Sequence, residues 1–162
     1  MKIYFGNSLF SQADFDFNER LVAAMRQQNP DVDIYLPQEN AAINDKNNYA
    51  NAKDIAQGDT AELLSSDLMV AVLDGSTIDA GVAAEVGVAY AKHIPIYGLY
   101  TDSRQLGYDN PQKLRALREV AENQFSYINL YPVGLIKMNG EVVNGTEQLL
   151  QLVHQFVTNQ EA

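Results

Sequence analysis

Residues Asp67–Leu73 read Asp-Leu-Met-Val-Ala-Val-Leu, an apolar run without polar alternation. A strand of that kind is covered on both faces, whereas an antiparallel sheet open to water on one side shows alternation. The run therefore points to a parallel sheet held between helices. The rest of the chain supplies those layers. Strand-like segments at Lys2–Gly6, Asp33–Leu36, Ile94–Tyr100 and Leu135–Met138 alternate with helix-like ones at Ala13–Gln28, Ala52–Leu64, Ala80–Lys92, Pro111–Asn123 and Thr146–Thr158. With right-handed crossovers, this order gives an α/β, doubly wound, five-stranded parallel sheet with helices on both faces, of flavodoxin or Rossmann type. Residues Glu39–Asn51 are polar and asparagine-rich and read as a loop.

A chain of 162 residues suits one domain spanning residues 1–162. The net charge of −10 repels a phosphate backbone, so nucleic acid is a poor partner and a small neutral ligand a better one. Plain solubility accounts for the charge equally well. There is no cysteine, which excludes disulfides, thiolate metal sites and cysteine nucleophiles. Met1-Lys2 leads straight into a strand without a signal pattern, and no apolar run reaches membrane-spanning length. These features lead to the expectation of a cytoplasmic protein without a membrane partner. Ligands of doubly wound sheets bind beyond the carboxyl ends of the strands. The loops of interest are therefore Asn7–Phe10, Gln38–Asn51, Asp74–Asp79 and Thr101–Leu106.

Helix Ala80–Lys92 carries the main anomaly. Between Asp79 and Lys92 its only charged residue is Glu85, and helical spacing puts Glu85 on one face with Val82, Val86 and Ala89. A carboxylate there must find hydrogen bonds, shift its pKa, reach solvent or pair with a distant cation. Its place at the ligand end of the sheet favours a functional role. Asp79 reads first as a helix N-cap and second as a ligand for hydroxyl groups, and Gly81 permits close approach. Asp59 falls in the stripe Ala52, Ile55, Ala56, Asp59 and Leu63. On pattern alone, Gly58 interrupting the helix explains it best. His93 and His154 stand far apart without metal-ligand spacing and read as structural. Neither a phosphate loop nor a Gly-x-Gly-x-x-Gly motif follows the first strand.

Several segments together resemble the nucleoside 2-deoxyribosyltransferase family. They are Lys2-Ile-Tyr-Phe-Gly6 with Ser8-Leu9-Phe10, Asp54–Asp74, Asp79-Ala-Gly-Val-Ala-Ala-Glu85-Val-Gly-Val-Ala-Tyr90, and Ile128-Asn129-Leu130. The resemblance implies that Glu85 is the nucleophile, that Tyr4 orients it, and that Asp59 contacts the base and manages its proton. It also implies that Asp79 binds sugar hydroxyls beside Gly6, Ser8, Phe10 and Gly81, and that Asn129 reaches the substrate of a neighbouring subunit in a dimer or hexamer. Deoxynucleosides and nucleobases would be the partners, with no metal or organic cofactor. Two other readings stand beside this one. The first is a hydrolase of nucleoside 5′-monophosphates, although Asn7–Gln12 offers Ser8 and Ser11 but neither Arg nor Lys. The second is a non-catalytic nucleotide-binding module. The aromatics of Phe125–Tyr131 would suit an interface or, alternatively, the protein's own core.

Overall fold

A computed structural model describes residues 1–44 and 49–160. Part of the segment read as a loop, residues 45–48, lies outside the described residues. Five parallel strands form the sheet: β1 (Lys2–Gly6), β2 (Asp33–Tyr35), β3 (Leu68–Val72), β4 (Ile96–Leu99) and β5 (Gly140–Val143), in the order β2-β1-β3-β4-β5. The helices are α1 (Gln12–Gln28), α2 (Ala41–Asn44), α3 (Ala52–Leu64), α4 (Ala80–Ala91), α5 (Pro111–Ala116), α6 (Leu130–Asn139) and α7 (Thr146–Gln160). Among the described residues no helix is long and apolar enough to cross a membrane.

The pleat sorts the strand residues between two cores. Ile3, Phe5, Leu68, Val70 and Val72 pack with Leu21, Val22 and Met25 of α1 and Leu149, Val153 and Val157 of α7. Tyr4, Met69, Ala71 and Leu73 point the other way, into Val82, Val86 and Ala89 of α4 and Val133 and Ile136 of α6. All five residues of β3 are buried, as its unbroken apolar run requires. The same alternation brings Tyr4, between Ile3 and Phe5, onto the α4 side. The strand order reverses direction between β1 and β3, so the crevice for a ligand opens at the carboxyl ends of those two strands.

Local chemistry sets the boundaries. Ser11 caps α1 and Asn51 caps α3, each in a reciprocal capping box with an aspartate, Asp14 and Asp54. The expected last strand, Leu135–Met138, is instead the end of α6, and the last strand is Gly140–Val143. Asn129 caps this helix, and Pro132, Val133, Leu135 and Ile136 form its buried side. A short apolar stretch fits a strand or a buried helix equally well, and packing against α4 decides. The helix expected over Pro111–Asn123 stops at Ala116. Leu114, Leu117 and Val120 are exposed, so no apolar face is buried to sustain further turns. Pro95 precedes β4, which shortens the expected Ile94–Tyr100 to Ile96–Leu99. Gly58 does not interrupt α3. A Cβ there would meet Ile43 at 2.6 Å, so the glycine admits a neighbouring side chain.

Gly140 begins β5 where a Cβ would lie 1.9 Å from the Ile96 carbonyl oxygen. Because that obstacle is backbone, Gly140→Ala must push β5 away from β4. The expected loss is about 2 kcal/mol or more, read from urea unfolding. An unchanged midpoint would show that this edge of the sheet adjusts freely.

Candidate active site

Tyr4, in the middle of β1, is fully buried, and its phenol donates a 2.7 Å hydrogen bond to Glu85 Oε1. Glu85 stands just over one turn into α4, on the side that faces the sheet. Gly6 makes room for it, since a Cβ at that position would lie 3.0 Å from Glu85 Oε2. Among the described residues no Lys or Arg pairs with Glu85; the ion pairs are Lys2–Glu62, Arg26–Glu39 and Arg104–Asp102. Burial pushes the Glu85 carboxyl up to about 7. The bond from Tyr4 opposes that rise, while the charges of Asp59 and Asp79 add to it. Burial, with Glu85 beside it, drives the Tyr4 phenol far above its ordinary range. Tyr4 therefore stays protonated and remains a donor.

The carboxylate opens into a cleft of about 260 Å³ whose lining includes Gly6, Leu9 and Phe10 from the first loop, Pro37 and Ile43 from the segment after β2, Ile55 and Asp59 from α3, and Asp79, Gly81 and Val82 at the start of α4. Apolar side chains of Phe10, Pro37, Ile43 and Ile55 share the cleft with the carboxylates of Asp59, Asp79 and Glu85. Asp79 is the N-cap of α4, accepting from Gly81 N at 2.8 Å and Val82 N at 3.1 Å through one oxygen, Oδ1. It thus caps the helix and also lines the cleft. Asp59 is half-buried and accepts from the Tyr35 phenol at 3.3 Å. Because α3 is unbroken, Asp59 does not begin a new turn at Gly58. Its supposed apolar stripe buries only Leu63, and Ile55 and Asp59 face the cleft instead.

Ser8 lines a neighbouring cleft of about 550 Å³ with Asn7, Asp14, Asp74, Thr77 and Asp79, and its hydroxyl bonds Asp14. Asn7 and Asp79 border both clefts. Asn129 is apart from Glu85. It caps α6 by accepting from Tyr131 N, and it lines a third cleft of about 290 Å³ with Thr77, Ile78, Ala83, Tyr127 and Tyr131. Tyr127 is 83% exposed and Tyr131 75%, so these aromatics do not fill this chain's core. His93, at positive φ just past the end of α4, and His154, bonded to Asn29, lie outside all three clefts. Among the described residues no group of His, Asp or Glu is arranged to hold a metal. Tyr35, Pro37, Ile43 and Leu9 escaped the sequence reading. Ile43 sits in a stretch whose polar composition hid it, Pro37 read only as the end of the second strand, and Tyr35 is an ordinary strand residue until α3 is placed beside it.

The model of the nucleoside 2-deoxyribosyltransferase family matches residues 3–145. The chain belongs to this family. A conserved protein from Enterococcus faecalis V583 is 64% identical, with a TM-score of 0.90 over 95% of this chain and 97% of that one. The 2-desoxiribosyltransferase from Leishmania mexicana shares the fold at 19% identity, with a TM-score of 0.65 over 95% and 97%. The CMP N-glycosidase BcmB of Clostridium botulinum does so at 14% identity, with a TM-score of 0.53 over 96% and 99%. No curated protein matches the chain in sequence. Membership places the protein among nucleoside 2-deoxyribosyltransferase-type enzymes.

The raised Glu85 pKa is also a statement about stability. Below its ordinary value near 4.5 the group is neutral in both folded and unfolded chains and burial costs nothing extra. Between that value and about 7 the folded state holds the proton more tightly, so stability falls as pH rises. Glu85→Gln is therefore expected to stabilise the protein at pH 8 by about 1–3 kcal/mol and to be neutral near pH 4. Urea unfolding at the two pH values checks this. An equal effect at both would remove the buried charge as its cause.

Proposed function

We propose that the protein transfers a 2-deoxyribosyl group between nucleobases, with Glu85 as nucleophile. The observation that carries this reading is a lone carboxylate, partly withdrawn from water and fixed by a buried phenol, at the wall of a cleft that combines apolar side chains with carboxylates. The apolar side chains of Ile43, Ile55, Pro37 and Phe10 suit the face of a base. Asp79 suits the hydroxyls of a sugar, since one of its oxygens is not used in capping.

In the first step a Glu85 oxygen bonds to the anomeric carbon as the carbon–nitrogen bond breaks, and the electron pair leaves with the base. Asp59, protonated at this point, gives its proton to the departing base and takes one back from the incoming base, so the exchange is neutral in protons. The developing positive charge on the sugar is stabilised by the same carboxylate that attacks it. A second base then attacks the anomeric carbon and Glu85 leaves, so configuration is retained. Burial raises the energy of the ionised carboxylate before reaction, and Tyr4 keeps one oxygen in place without donating its proton. Water in place of the second base gives hydrolysis.

The nucleoside reading is preferred over a nucleoside 5′-monophosphate because of charge. Asp14, Asp59, Asp74, Asp79 and Glu85 line the two clefts beside the switch point, and among the described residues neither Lys nor Arg lines them. A phosphate dianion would meet repulsion from these carboxylates. Incubation with a deoxynucleoside and a free acceptor base is expected to yield the deoxynucleoside of the acceptor. Glu85→Ala should reduce that exchange by at least about 10³-fold without loss of the fold. Preference for a 5′-monophosphate with release of free sugar phosphate and no exchange would assign the protein to hydrolysis instead.

Asn129 is proposed to serve a neighbouring protomer's site in a homo-oligomer. Two facts support it: Asn129 lies outside its own chain's Glu85 cleft, and Tyr127, Leu130 and Tyr131 beside it are exposed. Such a surface, rich in tyrosine, resembles the core of an interface. Glu85→Ala and Asn129→Ala variants, each weak alone, should regain activity above their sum when refolded together, because some mixed sites hold both intact residues. No gain on mixing, or a monomer by light scattering, would reject the shared site.

A further inference from the structure

Strand register sets two tyrosines side by side. Tyr4 and Tyr35 are partners across β1 and β2, and their rings stack with centroids 5.5 Å apart at 27°. Each phenol reaches a different acid of the cleft: Tyr4 donates to Glu85 and Tyr35 donates to Asp59. Asn40 Nδ2 donates to the Tyr35 oxygen at 3.0 Å. That bond occupies a lone pair of the phenol and directs its proton toward Asp59. Ring stack, amide and carboxylate thus fix Tyr35 at both ends.

We propose that Tyr35 is a positioning residue, the counterpart of Tyr4: it holds Oδ1 of Asp59 and leaves Oδ2 for the substrate base. Among the described residues Oδ2 makes no hydrogen bond. This inference rests on the proposed role of Asp59 at the base, and it explains how a half-buried acid keeps one geometry through proton transfer. The groups facing Asp59 are Tyr35 from β2, Glu62 on its own helix, and Tyr4 and Glu85 from β1 and α4. Burial and Glu62 push its carboxyl up, and the Tyr35 bond is the force that opposes them. Glu62 is itself tied to Lys2, which leaves Tyr35 as the direct partner of the acid.

The test is a carboxyl titration of the whole protein by carbon-13 NMR, with the Asp59 signal identified by its loss in Asp59→Asn. In Tyr35→Phe, which keeps the ring stack, the Asp59 midpoint is expected to rise by about 0.5–1 pH unit. Base exchange is expected to slow about tenfold in kcat with less change in KM. Combined with Asp59→Asn, the same change should cost nothing further, since the two residues act as one unit. Asn40→Ala should move the midpoint less and in the same direction, and it serves in place of Tyr35→Phe if that variant misfolds. An unmoved midpoint, or losses that add in the double variant, would reduce Tyr35 to a packing residue. If the unmodified protein neither cleaves nor exchanges deoxynucleosides, the functional reading fails on its own evidence, and the titration still decides the link between Tyr35 and Asp59.

Discussion

The hydrogen bond from Tyr4 to Glu85 joins the middle of the first strand to the helix that follows the most buried one. Neither partner is stable there alone. A buried phenol without an acceptor loses its hydrogen bonds to water, and a buried carboxylate without a donor is costlier still. Together they satisfy each other at 2.7 Å. The bond depends on several other features of the fold: the alternation that turns Tyr4 toward α4, the absence of a side chain at Gly6, and the helical spacing that brings Glu85 round with Val82 and Val86. Disturbing any of these moves the carboxylate.

Around that bond the protein gathers like charges. Asp59 and Asp79 both raise the Glu85 pKa, an arrangement that a stability argument alone disfavours. Among the described residues the partners of these acids are neutral donors: Tyr4 for Glu85, Tyr35 for Asp59, and the first amides of α4 for Asp79. Neutral donors hold geometry without cancelling charge. The carboxylates therefore keep their basicity, whereas an arginine among them would have formed an ion pair and lowered it. This cluster lies at the carboxyl ends of β1 and β3, the sheet's switch point.

Much of this was legible in the residues themselves. The unbroken apolar run of β3 specified a covered parallel sheet, because only burial on both faces permits it. The isolation of Glu85 on an otherwise apolar helix marked it as exceptional, and Asp79 read as a cap because aspartate directly before a helix accepts from its free first amides. The family resemblance added Tyr4, whose importance no pattern within one strand could reveal. Local reading failed where packing decides. Leu135–Met138 is apolar enough for a strand and became helix when α4 offered a face to cover. Leu114, Leu117 and Val120 have helical spacing but no surface to pack on, and α5 ends early.

The sequence by itself determined the class of fold, the alternation of its first four strands with helices, and the residue whose charge is out of place, since each follows from periodicity and composition along the chain. Only the tertiary structure decided which groups surround that charge. Tyr35 meets Asp59 from 24 positions away, Tyr4 meets Glu85 from 81, and Ile43 packs onto Gly58. Pairings at such separations arise from strand order and helix placement, which no local pattern encodes.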